Sequence, residues 1–351
     1  MFRKVILGLV VLLAVAWAAV RFWPEDTSEY QLTPEAEAFL DTIPEASMPP
    51  DWTWHTFESF DGTPIRWGET GNGASARATL VYVPGYTNTI EGYGEQFDLW
   101  ARRGFHVVGM DMRGQGGSGG NAGGDKLPRF RDGDVIYNAR DIIGLVRSLP
   151  RVEGQPLVLS GSSYGGFMTT LALLEDPEIA DAYVAIAPAY SPRIEADPKD
   201  FRRATRVAIR LGLGGKYGPE QGPWRPFALE RTVPEWCPVD HPRMYTALGV
   251  HLRDPEQRVG GLTWGTLRDW AEMSDELLAG KYGELSVPTR MVFAEDDRVV
   301  ENTPSREWCA GMEVCSSVMW EDATHCVTLE RDELVERVAD EVVGVLGALN
   351  K

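Results

Sequence analysis

Ser163 stands at the centre of Gly161-Ser162-Ser163-Tyr164-Gly165, a Gly-x-Ser-x-Gly frame. An apolar, β-like run from Pro156 to Leu159 leads into it, and a helix-like run from Phe167 to Leu174 leads out. A strand, a tight turn and a helix in that order hold the central serine on a strained bend with its hydroxyl exposed. The hydroxyl then lies at a helix N-terminus, where free N–H groups favour developing negative charge. Gly161 and Gly165 lack a Cβ, so neighbouring chain can pass close to the bend. The five residues alone also suit a small-residue loop. What the frame offers chemically is nucleophilic attack, and a serine hydroxyl needs a base to take its proton and an acid to orient that base.

In a strand-turn-helix arrangement the three groups follow in the order Ser, Asp or Glu, His. The chain has five histidines, and His55 and His106 precede the serine. His325 lies beyond a buried-strand pattern, Pro288 to Ala294, that runs into Glu295-Asp296-Asp297. A carboxylate at the end of a strand, followed by a histidine after the next short apolar run, Ser317 to Trp320, completes the order. An oxyanion hole needs two N–H donors. The residue after the nucleophile, Tyr164, supplies one, and the loop after an earlier strand supplies the other. Thr79 to Val83 reads as that strand, and Pro84-Gly85-Tyr86 follows at once, so the second donor is the N–H of Tyr86.

These residues need a scaffold that brings strand ends together. Strand-like segments lie near Trp52–Ser59, Pro64–Gly68, Thr79–Val83, Phe105–Met110, Leu157–Ser160, Ala182–Ala187, Thr289–Phe293 and Ser317–Trp320. Helix-like segments alternate with them. Val135, Ile136, Ala139, Ile142, Ile143 and Val146 recur at helical spacing, as do Leu334, Val335, Val338, Val342 and Leu346. The alternation predicts an α/β fold: a mainly parallel eight-stranded sheet with flanking helices. About a hundred residues between Ala187 and Thr289 break the rhythm, a length far beyond an ordinary loop. They are expected to form an inserted helical cap over the carboxyl ends of the strands, where open α/β sheets place ligands. Its apolar surface draws on Phe201, Val207, Ile209, Leu211, Leu213, Trp224, Phe227, Trp236, Met244, Trp264 and Trp270. Most of these serve as its own core. Arg202, Arg203 and Arg206 suit either a phosphate group or a solvated helix face.

Taken together, the segments resemble the α/β-hydrolase superfamily, in particular its lysophospholipase and monoacylglycerol lipase branch. The resemblance rests on Val83-Pro84-Gly85-Tyr86, Asp111 to Gly119, Gly161 to Gly165, Gly260 to Gly265, Asp297-Arg298-Val299-Val300 and His325. It spans about residues 52 to 349. It implies the α/β-hydrolase fold and a Ser163–His325–Asp297 triad, choosing Asp297 because the family's acid directly precedes the Arg-Val-Val run. It further implies an acyl-enzyme route to the hydrolysis of lysophospholipids or monoacylglycerols, with no cofactor or metal. Pro84 replaces the branch's histidine before the oxyanion glycine, and Cys326 stands where a glutamate is frequent. Small-ester and aminopeptidase-like hydrolysis share the machinery, and a membrane-tethered binding protein with an inactive site is the alternative outside enzymes.

The expected organisation is an N-terminal anchor or signal peptide (1–23), a tether (24–51), a first core part (52–189), the cap (190–286) and a second core part (287–351). Arg3 and Lys4 precede the apolar run Val5 to Val20, with Arg21-Phe22-Trp23-Pro24 after it. The charge order predicts the N-terminus inside and the body exported, so membrane association runs through this segment. Ala16-Trp17-Ala18 also fits a signal-peptidase site, which would make the protein secreted. The net charge of −18 argues against nucleic acid as a partner. Cys237, Cys309, Cys315 and Cys326 lack metal-ligand spacing. Export would permit disulfides, with Cys309–Cys315 the simplest pair and Cys326 alternatively a packed thiol.

Overall fold

Unbroken apolar runs become central strands because both of their faces are covered. The computed structural model describes residues 11–12, 15–26, 28–71, 73–120, 134–194, 196–226, 237 and 242–349. Its eight strands are β1 (Thr53–Glu58), β2 (Pro64–Thr70), β3 (Ala78–Val83), β4 (Phe105–Met110), β5 (Leu157–Ser162), β6 (Ala182–Ile186), β7 (Thr289–Asp296) and β8 (Cys315–Thr324). They form one sheet in the order β1-β2-β4-β3-β5-β6-β7-β8. β2 runs antiparallel to β1 and β4, and all later pairings are parallel. Every residue of β3, β5 and β6 is buried, whereas the edge strand β1 is largely exposed.

From residue 34 onward the described α-helices are α1 (Pro34–Leu40), α2 (Gly94–Arg102), α3 (Asp134–Ser148), α4 (Ser163–Glu175), α5 (Pro198–Arg210), α6 (Pro242–Arg253), α7 (Trp264–Leu278), α8 (Asn302–Ala310) and α9 (Asp332–Ala348). The sheet separates two apolar cores. On one face α3 and α4 pack through Val135, Ile142, Val146, Phe167 and Leu171. On the other, α2 and α9 pack through Phe97, Trp100, Val335, Val338 and Val342. α4 is buried from Tyr164 to Leu173, so its apolar surface needs no polar face. The mainly parallel eight-stranded sheet with flanking helices expected from the segment order is the one observed.

α5, α6 and α7 arise from the inserted stretch. Asp197 caps α5 by accepting the N–H groups of Lys199 and Asp200, and Thr263 caps α7 by accepting that of Thr266. Of the apolar candidates in this stretch, Met244 and Trp270 are buried, Val207 and Leu211 are exposed, and Phe227 and Trp236 lie outside the described residues. The arginines considered for phosphate binding are mostly engaged within the cap. Arg202 pairs with Asp275, and Arg206 Nε stands 2.8 Å from Glu272. Neighbouring carboxylates on α7 thus take the charge that a head group would have met.

Residues before β1 lie along the cap. Tyr30 meets Trp224 edge-on at 5.7 Å, Arg258 donates to the Tyr30 carbonyl at 2.8 Å, and Arg253 donates to the carbonyls of Leu40 and Ile43 at 3.1 and 3.2 Å. Residues 15–22 are helical. Among the described residues no helix is long and apolar enough to cross a membrane. Part of the Val5–Val20 run, on which the anchor reading rests, falls outside the described residues.

Candidate active site

The bend between β5 and α4 carries Ser163 at φ +51°, a left-handed conformation that costs a non-glycine residue energy. Two close approaches enforce it. A Cβ on Gly165 would stand 2.3 Å from the carbonyl oxygens of Val83 and Pro84, and one on Gly161 would stand 2.7 Å from the Gly165 carbonyl. Only glycine admits chain that near. Beneath the bend, Ser162 Oγ is hydrogen-bonded to the Tyr82 hydroxyl at 2.8 Å, which also donates to Thr328 Oγ1 at 3.2 Å. Burial pushes the Tyr82 hydroxyl up to about 12, so it stays neutral at any working pH.

The two other chemistry-bearing residues converge on Ser163 from the ends of β7 and β8. His325 Nε2 lies 2.8 Å from Ser163 Oγ, and His325 Nδ1 lies 2.8 Å from Asp297 Oδ2. Asp297 is buried, and its other oxygen accepts the N–H groups of Val299 and Val300, both at 2.9 Å. Its backbone is clamped as well, because Arg193 Nε donates to its carbonyl at 3.2 Å. Asp296 differs in every respect. It is exposed and bonded to Arg298 at 2.9 Å, and Glu295 is exposed too. A register shift between Ala294 and Asp296 ends the regular pairing of β7 with β8 and frees the chain to turn Asp297 inward.

His325 sits in a turn held by Glu330, whose Oε1 accepts the N–H of Thr324 at 2.8 Å and its hydroxyl at 2.5 Å. The other end of the turn is anchored by Gln96, which donates to the Thr328 carbonyl. Neither Glu330 nor Gln96 stood out in the sequence. Their partners lie on other elements or in an irregular turn, and no local spacing marks them.

The loop after β3 wraps against the serine. A Cβ on Gly85 would stand 3.2 Å from Ser163 Cβ, so the loop backbone lies directly beside Ser163. Tyr86 and Tyr164 meet edge-on at 5.7 Å, and the Tyr86 hydroxyl donates to the Gly260 carbonyl of the cap at 3.0 Å. Thr87 is strained, at φ +66°, and gives its N–H to Gln115 Oε1 at 2.5 Å. Gln115 belongs to the Asp111–Gly119 segment, which was legible as a motif but carried no assigned task. Its side chain orders the loop that would present the Tyr86 N–H.

His251 on α6 links the cap to this region. Its Nδ1 stands 3.0 Å from the Gln257 carbonyl, and burial pulls its pKa down to about 4, opposed by the Gln257 carbonyl, the Glu91 charge and the Thr87 carbonyl and assisted by Arg258. A folded-state pKa below the unfolded value means that the unfolded chain binds the extra proton. The neutral ring's contribution is therefore complete above about pH 6.5 and is lost as pH falls towards about 4, roughly 3 kcal/mol across the window. His251→Gln should flatten the acid limb of stability by that amount, measured by denaturant midpoints from neutral pH to acid. Parallel limbs for the two proteins would refute it.

All four cysteines are paired: Cys309 with Cys315, and Cys237 with Cys326. The thiol suggested for Cys326 is thus replaced by a bond to the cap, which the separation of 89 residues concealed. Among the described residues no cluster of three His, Cys, Asp or Glu could hold a metal ion.

The chain is similar to several known proteins. Residues 74–332 match the family described as "Serine aminopeptidase, S33". Lysophospholipase L2 of Escherichia coli (strain K12) is 28% identical over 239 residues, 66% of this chain and 66% of that protein. The chain therefore spans slightly less than two thirds of that curated relative's length. A monoglyceride lipase from Saccharomyces cerevisiae, solved with a substrate analog, superposes with a TM-score of 0.61 at 15% identity, covering 86% of this chain and 97% of that one. A thermophilic esterase from Thermogutta terrifontis gives a TM-score of 0.57 at 19% identity, covering 85% and 100%. Both structural likenesses speak to fold.

Proposed function

The chain belongs to the α/β-hydrolase family described as "Serine aminopeptidase, S33", and from that premise we propose that it is a serine hydrolase of carboxylic esters, with lysophospholipids or monoacylglycerols as its substrates. The observation that carries the proposal is the continuous hydrogen-bonded array Ser163–His325–Asp297. His325 Nε2 takes the Ser163 proton as Oγ attacks the ester carbonyl, while Asp297 holds the ring with Nδ1–H inward and stabilises the imidazolium. The N–H groups of Tyr86 and Tyr164 receive the oxyanion. His325 protonates the departing alcohol, then activates a water that releases the acid from Ser163. No step calls for a cofactor.

The lipid assignment draws support from the lysophospholipase relative and from contacts of the inserted stretch beside the site, where Trp270 donates to the Ala189 carbonyl at 2.9 Å and Gly260 accepts from the Tyr86 hydroxyl at 3.0 Å. Two disulfides suit an oxidising compartment, which supports export of the catalytic part. The basic-then-apolar N-terminal run serves in this reading as anchor or cleaved signal. Initial rates on esters of graded acyl length, a monoacylglycerol, a lysophospholipid and an N-terminal amino-acid amide test the assignment, with Ser163→Ala as the blank. Preference for the long-chain and lysolipid substrates supports it. Activity confined to short esters replaces it with a small-ester hydrolase, and turnover of the amide alone with an aminopeptidase.

A further inference from the structure

Resting on the reading of His325 as general base, we propose that the Cys237–Cys326 disulfide is a positioning element for that base, tying the cap to the residue next to it. The Cα atoms of the pair are 5.2 Å apart, within the reach of a disulfide. Cys326 directly follows His325, and both sulfur-bearing residues pack on the core face lined by α2 and α9. The cap meets this turn at a second point: Arg243 of α6 donates from Nη1 to the Glu330 carbonyl at 2.5 Å. The turn that carries the base is thus one of the places where the insert is fastened to the core.

The turn's remaining restraints lie around Cys326 without holding it firmly. Glu330 grips Thr324, before the histidine, and the Cys326 N–H reaches Thr324 Oγ1 only at 3.4 Å. The Cys326 carbonyl accepts from Leu329 at 2.7 Å, a bond internal to the turn. Besides its packing on that core face, the covalent tie is therefore what connects the residue after His325 to another element. The base must keep Nε2 on Ser163 and Nδ1 on Asp297 at once, and a displacement of about 1 Å in such an array costs up to about a hundredfold in rate. Cys309–Cys315 provides an internal comparison. It joins the end of α8 to the start of β8, the far end of that ten-residue strand from His325 and so about 30 Å away at the usual rise per residue.

The test compares the full chain, the Cys237→Ser/Cys326→Ser double variant and the Cys309→Ser/Cys315→Ser double variant on a soluble short-chain ester, with Ser163→Ala as the blank. The expected result for the Cys237/Cys326 variant is a fall in kcat of about tenfold or more with KM changed less than about threefold. The acid limb of its kcat/KM profile should also be displaced, as a shifted environment for His325 requires. The Cys309/Cys315 variant should keep the wild-type kcat. An unchanged kcat and acid limb in the Cys237/Cys326 variant, with only a lower unfolding temperature, would overturn the proposal.

Should that variant fail to fold, the folded wild-type protein is reduced instead. A trialkylphosphine with water converts the disulfide to two thiols and itself to the phosphine oxide. Alkylation and mass spectrometry then identify which pair opened. Loss of kcat that tracks opening of Cys237–Cys326 supports the proposal, and full activity with that pair open overturns it. Absence of Ser163-dependent turnover in the untreated protein would instead overturn the hydrolase reading beneath it.

Discussion

Ser163→Ala is expected to lower kcat on the preferred ester by about four to six orders of magnitude, with KM little changed. The variant loses the attacking oxygen and retains the rest: the bend, the loop beside Gly85 and the His325–Asp297 bond do not depend on the hydroxyl. What remains should be the modest acceleration that oxyanion donors and binding supply without a nucleophile. The unfolding temperature should stay close to wild type, because alanine at φ +51° is strained to a similar degree as serine. Single-turnover rates and labelling by a fluorophosphonate measure the two sides of this prediction. A fall of less than about tenfold, or undiminished labelling, would move the chemistry to another residue.

The second large effect concerns the acid. Asp297→Asn should lower kcat by about ten thousandfold, while Asp296→Asn should change it less than about threefold. Asparagine can still accept the N–H groups of Val299 and Val300 through its Oδ1, so the turn survives. Its NH2 then faces His325 Nδ1, where the carboxylate oxygen stood at 2.8 Å. Two donors cannot face each other, so the ring adopts the tautomer with its proton on Nε2. That nitrogen can no longer accept the proton of Ser163. Asp296 is exposed and paired with Arg298, so its loss leaves the ring untouched. Equal losses in the two variants would mean that the acid is misassigned. Because the three residues would act as a unit, adding Asp297→Asn to Ser163→Ala should cost almost nothing further.

The bend around Ser163 and the sheet were legible in the sequence because their determinants are local. A Gly-x-Ser-x-Gly frame, a run such as Thr79 to Val83 and the helical spacing from Val135 to Val146 each specify conformation within about a dozen residues, through sterics and apolar periodicity. Chain order then brought His325 and an acidic strand end into consideration. Among Glu295, Asp296 and Asp297, local sequence alone does not choose; the preference came from resemblance. In the structure they differ by burial and partners, which depend on how β7 leaves its pairing with β8.

Other features had no local signature at all. Gln115 holds Thr87, Glu330 holds Thr324, Arg202 and Arg206 are taken up by α7, and Tyr30 lies against Trp224. Cys326 beside His325 was visible from the start, but its partner lies 89 residues earlier in the cap. The sequence by itself determined the strands, the helices, the strained serine and the order of the chemistry-bearing groups, because each is encoded by neighbours in the chain. Which carboxylate turns inward, which cysteine is tied to the residue after His325 and which side chains brace the loop after β3 were decided by the tertiary structure alone. Those choices are made by distances between segments that share no local pattern, and only packing of the sheet against its helices and cap sets them.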